Sequence, residues 1–327
     1  MNSQEEVALK QISNSLISIT IPTHNRAHFL DACLEFLIPL ARKHCVKIFI
    51  SDNASNDNTQ NVVARRMLDY SLIFYSKNQE NIGPDAGFEK ALKLADTKYV
   101  WLLGDTYKIP AHGLDYLVDL ISSQKVTYNL IVFNAAGRVK DMSRQDYIDP
   151  NKLLSDIGWH MTCISTLVYK VDMLRECNFE RYLNTNFIQT GIIFEYLSNH
   201  NFVVHWIGDF SVEAINLGGL SKISWEDYVF EIWVERWPNF IFSLPPIYLL
   251  SSKMKACMDH AIQSKLFTIK KLLVMRFNNR LNFSVYKKYN HIMQHSIPHP
   301  RLLILFLSVF PIFIIKFLKW AIKKFIK

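Results

Sequence analysis

Short β-rich runs alternate with helical stretches over the first hundred residues, and this alternation restricts the fold more than any other feature. Leu16–Ile21 (LISITI) is a β-rich run ended by Pro22. Arg26–His44 then places Phe29, Leu30, Cys33, Leu34 and Leu37 at helical spacing. Val46–Ile50, Leu72–Tyr75 and Tyr99–Leu103 are predicted as three more strands, with helices over Thr59–Asp69 and Asp85–Ala95 between them. Strands in strict alternation with helices predict an α/β fold, with a mainly parallel central sheet flanked by helices on both faces. Ligands of such sheets bind beyond the carboxyl ends of the strands. Three polar clusters fall there, after Ile21, Ile50 and Leu103.

The pattern then loosens. Leu130–Phe133, Ile164–Tyr169 and Phe202–Ile207 read as strands and Asn186–Ser198 as a helix. From about Asn216 the character changes: Trp225, Trp233 and Trp237 crowd together and Pro238, Pro245 and Pro246 follow. The expected organisation is an α/β domain over residues 1–215 and a helical, aromatic and basic region over 216–327. Within the first domain, residues 16–120 form one half and 121–215 the other. The five cysteines form no C-x-x-C pair, so reduced thiols in a cytoplasmic setting are expected. Met1–Ser15 has no apolar segment and does not read as a signal peptide.

Charge is unevenly distributed. Ser251–Lys327 holds fifteen Lys or Arg and one acid, Asp259, whereas the remaining 250 residues carry a net −6. A basic tail on an acidic body points to an anionic partner. Leu302–Ile315 is nearly unbroken apolar sequence, but its fourteen residues fall short of the roughly 20 needed to span a bilayer. Lys316, Lys319, Lys323, Lys324 and Lys327 follow, opposite Phe317, Leu318, Ile322 and Phe325 on a helix. That is an interfacial, membrane-associating pattern with a basic stripe, and Lys265–Arg280 has the same mix. A core helix with a solvated lysine face is the alternative. Nucleic acid is not expected, because the segment is too apolar and shows no nucleic-acid fold.

Four segments occur in order: Ile21-Pro22-Thr23-His24-Asn25-Arg26, Ser51-Asp52-Asn53-Ala54-Ser55-Asn56-Asp57, Asn81-Ile82-Gly83-Pro84-Asp85-Ala86-Gly87, and Trp101-Leu102-Leu103-Gly104-Asp105 with Pro110 five positions on. Together they resemble the family 2 glycosyltransferases of the GT-A fold, over about Leu16–Leu120. The NIGPD variant is similar to bacterial enzymes that build O-antigen and capsule repeat units. The resemblance implies a Rossmann-like GT-A domain that binds a nucleotide-sugar through Pro22, Thr23, Asn25, Arg26, Asp52, Asn53, Asn81, Gly83, Asp85 and Asp105. The family places its base-reading Asp at Asp52, which would accept a base N–H. Pro22 and Thr23 would line the base and ribose pocket, and Asn25 and Arg26 start a helix whose N-terminus favours anions. Ser55 and Asp57 either cap the helix from Thr59 or contact ligand. Gly83 serves either a tight turn or a close backbone approach.

GT-A enzymes usually hold Mg²⁺ or Mn²⁺ through a D-x-D motif, and hard cations want carboxylate oxygen. Asp105 matches the second Asp of that motif and is the expected metal ligand. Leu103 stands at the first, and Thr106 follows where an acid is often found. Capping of the following turn is the alternative role for Asp105. The family's Glu-Asp catalytic pair falls on Gln189-Thr190, neither of which is a base. Glu195 and Asp209 are therefore the candidate catalytic acids, with Glu213 nearby. Glu195 is either a displaced base or an exposed helix residue, and a retaining enzyme would need no base of this type. His205 is either a late metal ligand or structural. The chain lacks an H-E-x-x-H zinc motif, a P-loop, a G-x-G-x-x-G fingerprint and a G-x-S-x-G elbow.

The expected protein is a glycosyltransferase, inverting rather than retaining. It moves one sugar from a nucleotide-sugar donor to a polyprenyl-diphosphate-linked or other glycan acceptor, as a peripheral protein on the cytoplasmic face of the plasma membrane. The rival is a non-catalytic binding or scaffold subunit that keeps the nucleotide pocket.

Overall fold

The computed structural model describes residues 14–218 and 226–314. The chain divides into two compact units: residues 1–153 with 160–222, and residues 154–159 with 223–327.

The first unit is built on one mixed sheet. Its elements begin with β1 (Ile17–Thr23), α1 (Ala27–Lys43), β2 (Lys47–Asp52), α2 (Thr59–Asp69), β3 (Ile73–Lys77), α3 (Pro84–Lys93) and β4 (Tyr99–Leu102). There follow β5 (Tyr107–Lys108), α4 (Ala111–Ser122), β6 (Leu130–Ala135), β7 (Gln145–Tyr147), β8 (Leu167–Lys170), α5 (Ile188–Asn199) and β9 (Val204–Ala214). The strand order is β3-β2-β1-β4-β8-β6-β9-β5, with β7 on β9. Strands β1 to β4 pair in parallel, as the alternation predicts. β1 lies between β2 and β4 and is buried on both faces, which is why Ile17, Ser18, Ile19, Thr20 and Ile21 are all inaccessible. Its buried Ser18 Oγ lies 2.8 Å from Thr97 Oγ1. Trp101 of β4 stacks on Phe133 of β6 at 4.4 Å in the shared core. Burying side chains of this size contributes about 1.5–3 kcal/mol each.

The second half of the sheet departs from the sequence reading. Of the run Ile164–Tyr169, the first three residues form a 3₁₀ turn, and β8 begins only at Leu167. Ser165 explains the delay. Its carbonyl accepts Trp101 Nε1 at 2.8 Å and its hydroxyl accepts the Gly104 N–H at 3.0 Å, so it braces the end of β4. β8 runs antiparallel between β4 and β6. β9 is longer than its apolar core, and its register with β6 jumps from Ile207 to Ser211. The bulge needs Gly208, where a Cβ would stand 2.3 Å from the Met142 carbonyl.

The second unit is helical. Among its described elements are Trp237–Ser243, α6 (Leu250–Gln263), α7 (Ile269–Phe277), α8 (Phe283–Tyr289) and α9 (Arg301–Val309). Phe230, Val234, Phe267, Leu272, Leu281, Met293, Ile304 and Leu307 form its core. α9 buries Ile304 and Leu307 and exposes Leu302, Phe306 and Val309. It stops before Pro311, and Arg276 Nε donates to the Phe310 carbonyl at 2.8 Å. No helix among the described residues is long and apolar enough to cross a membrane. The predicted lysine stripe over Lys316–Lys327, the segment Met1–Ile12 and Trp225 lie outside the described residues.

Candidate donor site at the carboxyl edge of the sheet

The carboxyl ends of β1, β2 and β4 bring three of the four sequence clusters together. Thr23 closes β1 and Asp105 follows β4. Thr23 Oγ1 donates to Asp105 Oδ2 at 2.8 Å, and Arg26 Nη1 lies 3.4 Å from Oδ1. Asp105 is almost wholly buried. Burial pushes its carboxyl up, and the Arg26 charge and the Thr23 hydroxyl pull against that.

The turn after β2 braces the start of α1. Ser55 Oγ accepts the Asn25 N–H at 2.8 Å, and Asn25 Oδ1 accepts the Asn56 N–H at 2.9 Å. Asn25 takes the left-handed conformation (φ 53°) that Asn tolerates. Asp57 Oδ2 accepts from Ala27 N at 2.9 Å and Oδ1 from Thr59 N at 3.1 Å, so one carboxylate serves the first turns of two helices. Burial raises its pKa, but the bonds from Thr59 and Ala27 outweigh that and hold the carboxyl below the usual range. Of the two expected caps, Asp57 reaches the Thr59 helix. Ser55 instead binds Asn25, because the turn folds back on β1.

Asp52 is fully buried. Its Oδ1 accepts the Ser55 N–H at 2.8 Å and its Oδ2 accepts the Tyr75 hydroxyl at 2.5 Å. Burial and the Asp52 charge push the Tyr75 hydroxyl up, so it stays a donor. A carboxylate has about four lone-pair sites, so a base N–H would share an oxygen with one of these partners. Tyr75, which the sequence reading missed, joins the candidate site through its bond to Asp52. Its only signal is its position in β3 beside β2, where Ile50 pairs with Tyr75.

Asn53 is a hub. Its Nδ2 donates to Asn81 Oδ1 (2.9 Å) and the Gly83 carbonyl (3.0 Å), and its Oδ1 accepts Asn78 Nδ2 (2.9 Å) and Ile82 N (3.0 Å). It ties the Asn78–Gly83 loop to β2 with its amide capacity spent internally. Asn81 Nδ2 reaches His24 Nε2 at 3.1 Å. Gly83 has φ 81° with open space where a Cβ would be, so conformation rather than close approach calls for glycine. Asp85, in the first turn of α3, accepts the Asn186 N–H at 2.9 Å and links this loop to the segment before α5. Pro22 is half-buried beside Thr23.

The candidate catalytic acids are not gathered with Asp105. Glu195, on α5, lies 3.3 Å from Arg181 Nη1 and beside Tyr182. Asp209 sits in the β9 bulge, where Arg144 holds it by both oxygens and keeps its carboxyl below the usual range. Gln189 and Thr190 face inward, bonded to the Thr162 and Met161 carbonyls. His205 Nδ1 lies 2.6 Å from Asp146 and its Nε2 3.3 Å from the Tyr116 hydroxyl. These partners assign it a structural role at the amino end of β9.

Among the described residues no group of three or more His, Cys, Asp or Glu converges as a metal cage. Asp105 nevertheless suits a hard cation: it is a buried carboxylate with the Thr23 hydroxyl beside it. An ion there would take its remaining ligands from phosphate oxygens and water.

Residues 18–177 match the model of glycosyl transferase family 2. The abequosyltransferase RfbV of Salmonella typhimurium is 26% identical over 221 residues, 59% of this chain and 64% of that protein. The uncharacterized glycosyltransferase MG025 of Mycoplasma genitalium is 26% identical over 148 residues, 40% of this chain and 49% of that protein. The chain thus spans less than two thirds of either curated relative. Among solved structures, S. aureus TarS 1–349 in complex with UDP-GlcNAc superposes with a TM-score of 0.54 at 16% identity, covering 89% of this chain and 87% of that one. The mannosyltransferase PcManGT from Pyrobaculum calidifontis, in complex with GDP-Man and Mn²⁺, gives 0.53 at 14% identity, covering 94% and 92%. At these identities the structural likeness shows the fold. Residues 18–177, just under half of the chain, thus match glycosyl transferase family 2, and the chain has a GT-A fold.

Proposed function

We propose that the chain transfers a single sugar from a nucleotide-sugar to a glycan acceptor, in synthesis of a bacterial surface polysaccharide of the O-antigen or capsule kind. The observation that carries this reading is the Thr23–Arg26–Asp105 cluster at the carboxyl edge of the sheet. It sets a cation and a buried carboxylate beside the polar Asp52 turn, as a nucleoside diphosphate requires. The likeness to RfbV supports an O-antigen setting. The ligands named with TarS and PcManGT, UDP-GlcNAc and GDP-Man, support the donor class.

In this reading Asp52 accepts a base N–H, and Pro22 and Thr23 line the base and ribose. Asn25 and Arg26 face the diphosphate from the start of α1. Asn53, Asn81, Gly83 and Asp85 hold the loop that closes the site. Asp105 would hold a divalent cation, Mg²⁺ or Mn²⁺, which when bound neutralises the leaving diphosphate. Inversion needs a base for the acceptor hydroxyl. Glu195, paired with Arg181 through one nitrogen and beside Tyr182, is the better candidate. Asp209 is tied by both oxygens to Arg144, and its lowered pKa makes it a weak base.

The acceptor in this reading is polyprenyl-diphosphate-linked, and the chain is peripheral on the cytoplasmic face of the plasma membrane. The support is the basic tail and the exposed Leu302, Phe306 and Val309 on α9. Lysines near an anionic leaflet contribute about 1 kcal/mol each. The ion pairs of Glu195 and Asp209 favour the second reading, a binding subunit without turnover. Thermal shift against UDP, CDP, GDP and dTDP, with and without Mn²⁺, tests the donor site. At 100 times Kd a ligand stabilises by about 2.7 kcal/mol, and absence of any shift refutes the reading.

A further inference from the structure

Each oxygen of Asp105 has a partner where it stands. Thr23 occupies one oxygen and Arg26 the other. The Asp105 side chain is 5% exposed and that of Arg26 31%, so the guanidinium is the solvent-facing member of the pair. Leu103, completely buried, takes the position of the first D-x-D carboxylate, so a second acid does not share the charge there. A buried carboxylate without a countercharge is strongly unfavourable, and Arg26 supplies that charge. A divalent ion arriving at Asp105 therefore meets a like charge already in place.

The contact is built to exchange. One nitrogen at 3.4 Å is long for a charge-assisted bond, which is normally about 2.7–2.9 Å. The backbone beneath Arg26 is fixed, because Asp57 caps the next residue and Ser55 holds the one before. The side chain can swing without moving the helix. Phosphate oxygens offer a guanidinium a bidentate partner that this carboxylate does not.

We propose that Arg26 gates Asp105. With no donor bound, the guanidinium neutralises the carboxylate and keeps a divalent cation out. A nucleoside diphosphate draws the guanidinium onto its phosphate oxygens, and Asp105 then becomes available to the cation. Cation and diphosphate must load together, and by linkage each raises the affinity of the other by the same factor. The inference rests on the nucleotide-sugar reading above.

The test is Mn²⁺ binding to the full chain, followed by the electron paramagnetic resonance of free Mn²⁺, alone and with saturating UDP, CDP, GDP or dTDP. The nucleotide that binds should strengthen Mn²⁺ binding by about tenfold or more, within the usual range of coupling between sites. Arg26→Gln should bind Mn²⁺ without nucleotide and lose most of that coupling. If that variant does not fold, Asp105→Asn serves: freeing Arg26, it should bind the same nucleotide, in the absence of Mn²⁺, more tightly than the parent. Equal Mn²⁺ affinity with and without nucleotide overturns the gate. So does undiminished coupling in folded Arg26→Gln, or unimproved nucleotide affinity in Asp105→Asn. A chain that binds none of the four nucleotides refutes the donor reading and the gate with it.

Discussion

Replacing Asn53 by Ala tests whether the donor site is a braced framework rather than a set of separate loops. Asn53 makes four hydrogen bonds, two donated and two accepted, and all join β2 to the Asn78–Gly83 loop. Each such bond contributes about 0.5–1.5 kcal/mol net, which gives about 2–6 kcal/mol if all are lost. The value should fall near the lower half of that range, about 3 kcal/mol, because loop groups near the surface regain water once released. Asn78 is the exception, since its amide is buried and loses its partner. For a cooperative unit of 150–250 residues this corresponds to a fall in Tm of about 6–12 °C. Calorimetry of the full chain would measure it. A change below about 1 kcal/mol in Asn53→Ala, beneath even the low end expected for four bonds, would show that the loop holds its place without this residue.

Other outcomes follow from the same geometry. Asp105→Ala should abolish sugar transfer, read by product formation, while the far-ultraviolet circular dichroism stays unchanged. Glu195→Gln should lower turnover by about 100-fold or more, the usual share of a general base, and near-normal turnover removes Glu195 from the mechanism. His160 is fully buried, and burial holds its pKa down to about 3 from 6.5. The unfolded chain thus binds a proton between those values that the folded chain does not, and stability falls as pH drops from 6.5 to about 3, by up to about 1.4 kcal/mol per unit from this residue. Replacing His160 with Gln should flatten that part of the pH–stability curve. Deleting residues 300–327 should release the protein from membranes on cell fractionation, and unchanged association would place the anchor elsewhere.

Much of this was legible before the fold was known, where information is local. The helix Thr59–Asp69 has the bounds expected of it. The four parallel strands follow from short β-rich runs alternating with helices, with β1 and β4 buried on both faces and β3 half-buried at the edge. β5 and β7, with two and three residues, carry too little pattern to be seen, and the direction of β8 depends on its neighbours. The same division holds at the site. Which residues cluster after each strand is visible in the sequence. That Arg26 pairs with Asp105, 79 positions away, or Tyr75 with Asp52, 23 away, depends on strand pairing that no local signal encodes. Of the polar residues of the second turn, Ser55 and Asp57 read as helix caps or ligand contacts and Asn53 as a ligand contact. In the structure Ser55, Asp57 and Asn53 make bracing hydrogen bonds within the protein.

The most direct measurement is turnover of the purified full chain with UDP-, CDP-, GDP- and dTDP-sugars, scoring release of the nucleoside diphosphate by chromatography. The account predicts release from one nucleotide class and none from the Asp105→Ala variant. Tight nucleotide binding with no release from any donor, in the presence of a polyprenyl-diphosphate-linked glycan and Mn²⁺, would contradict it and leave a binding subunit in its place.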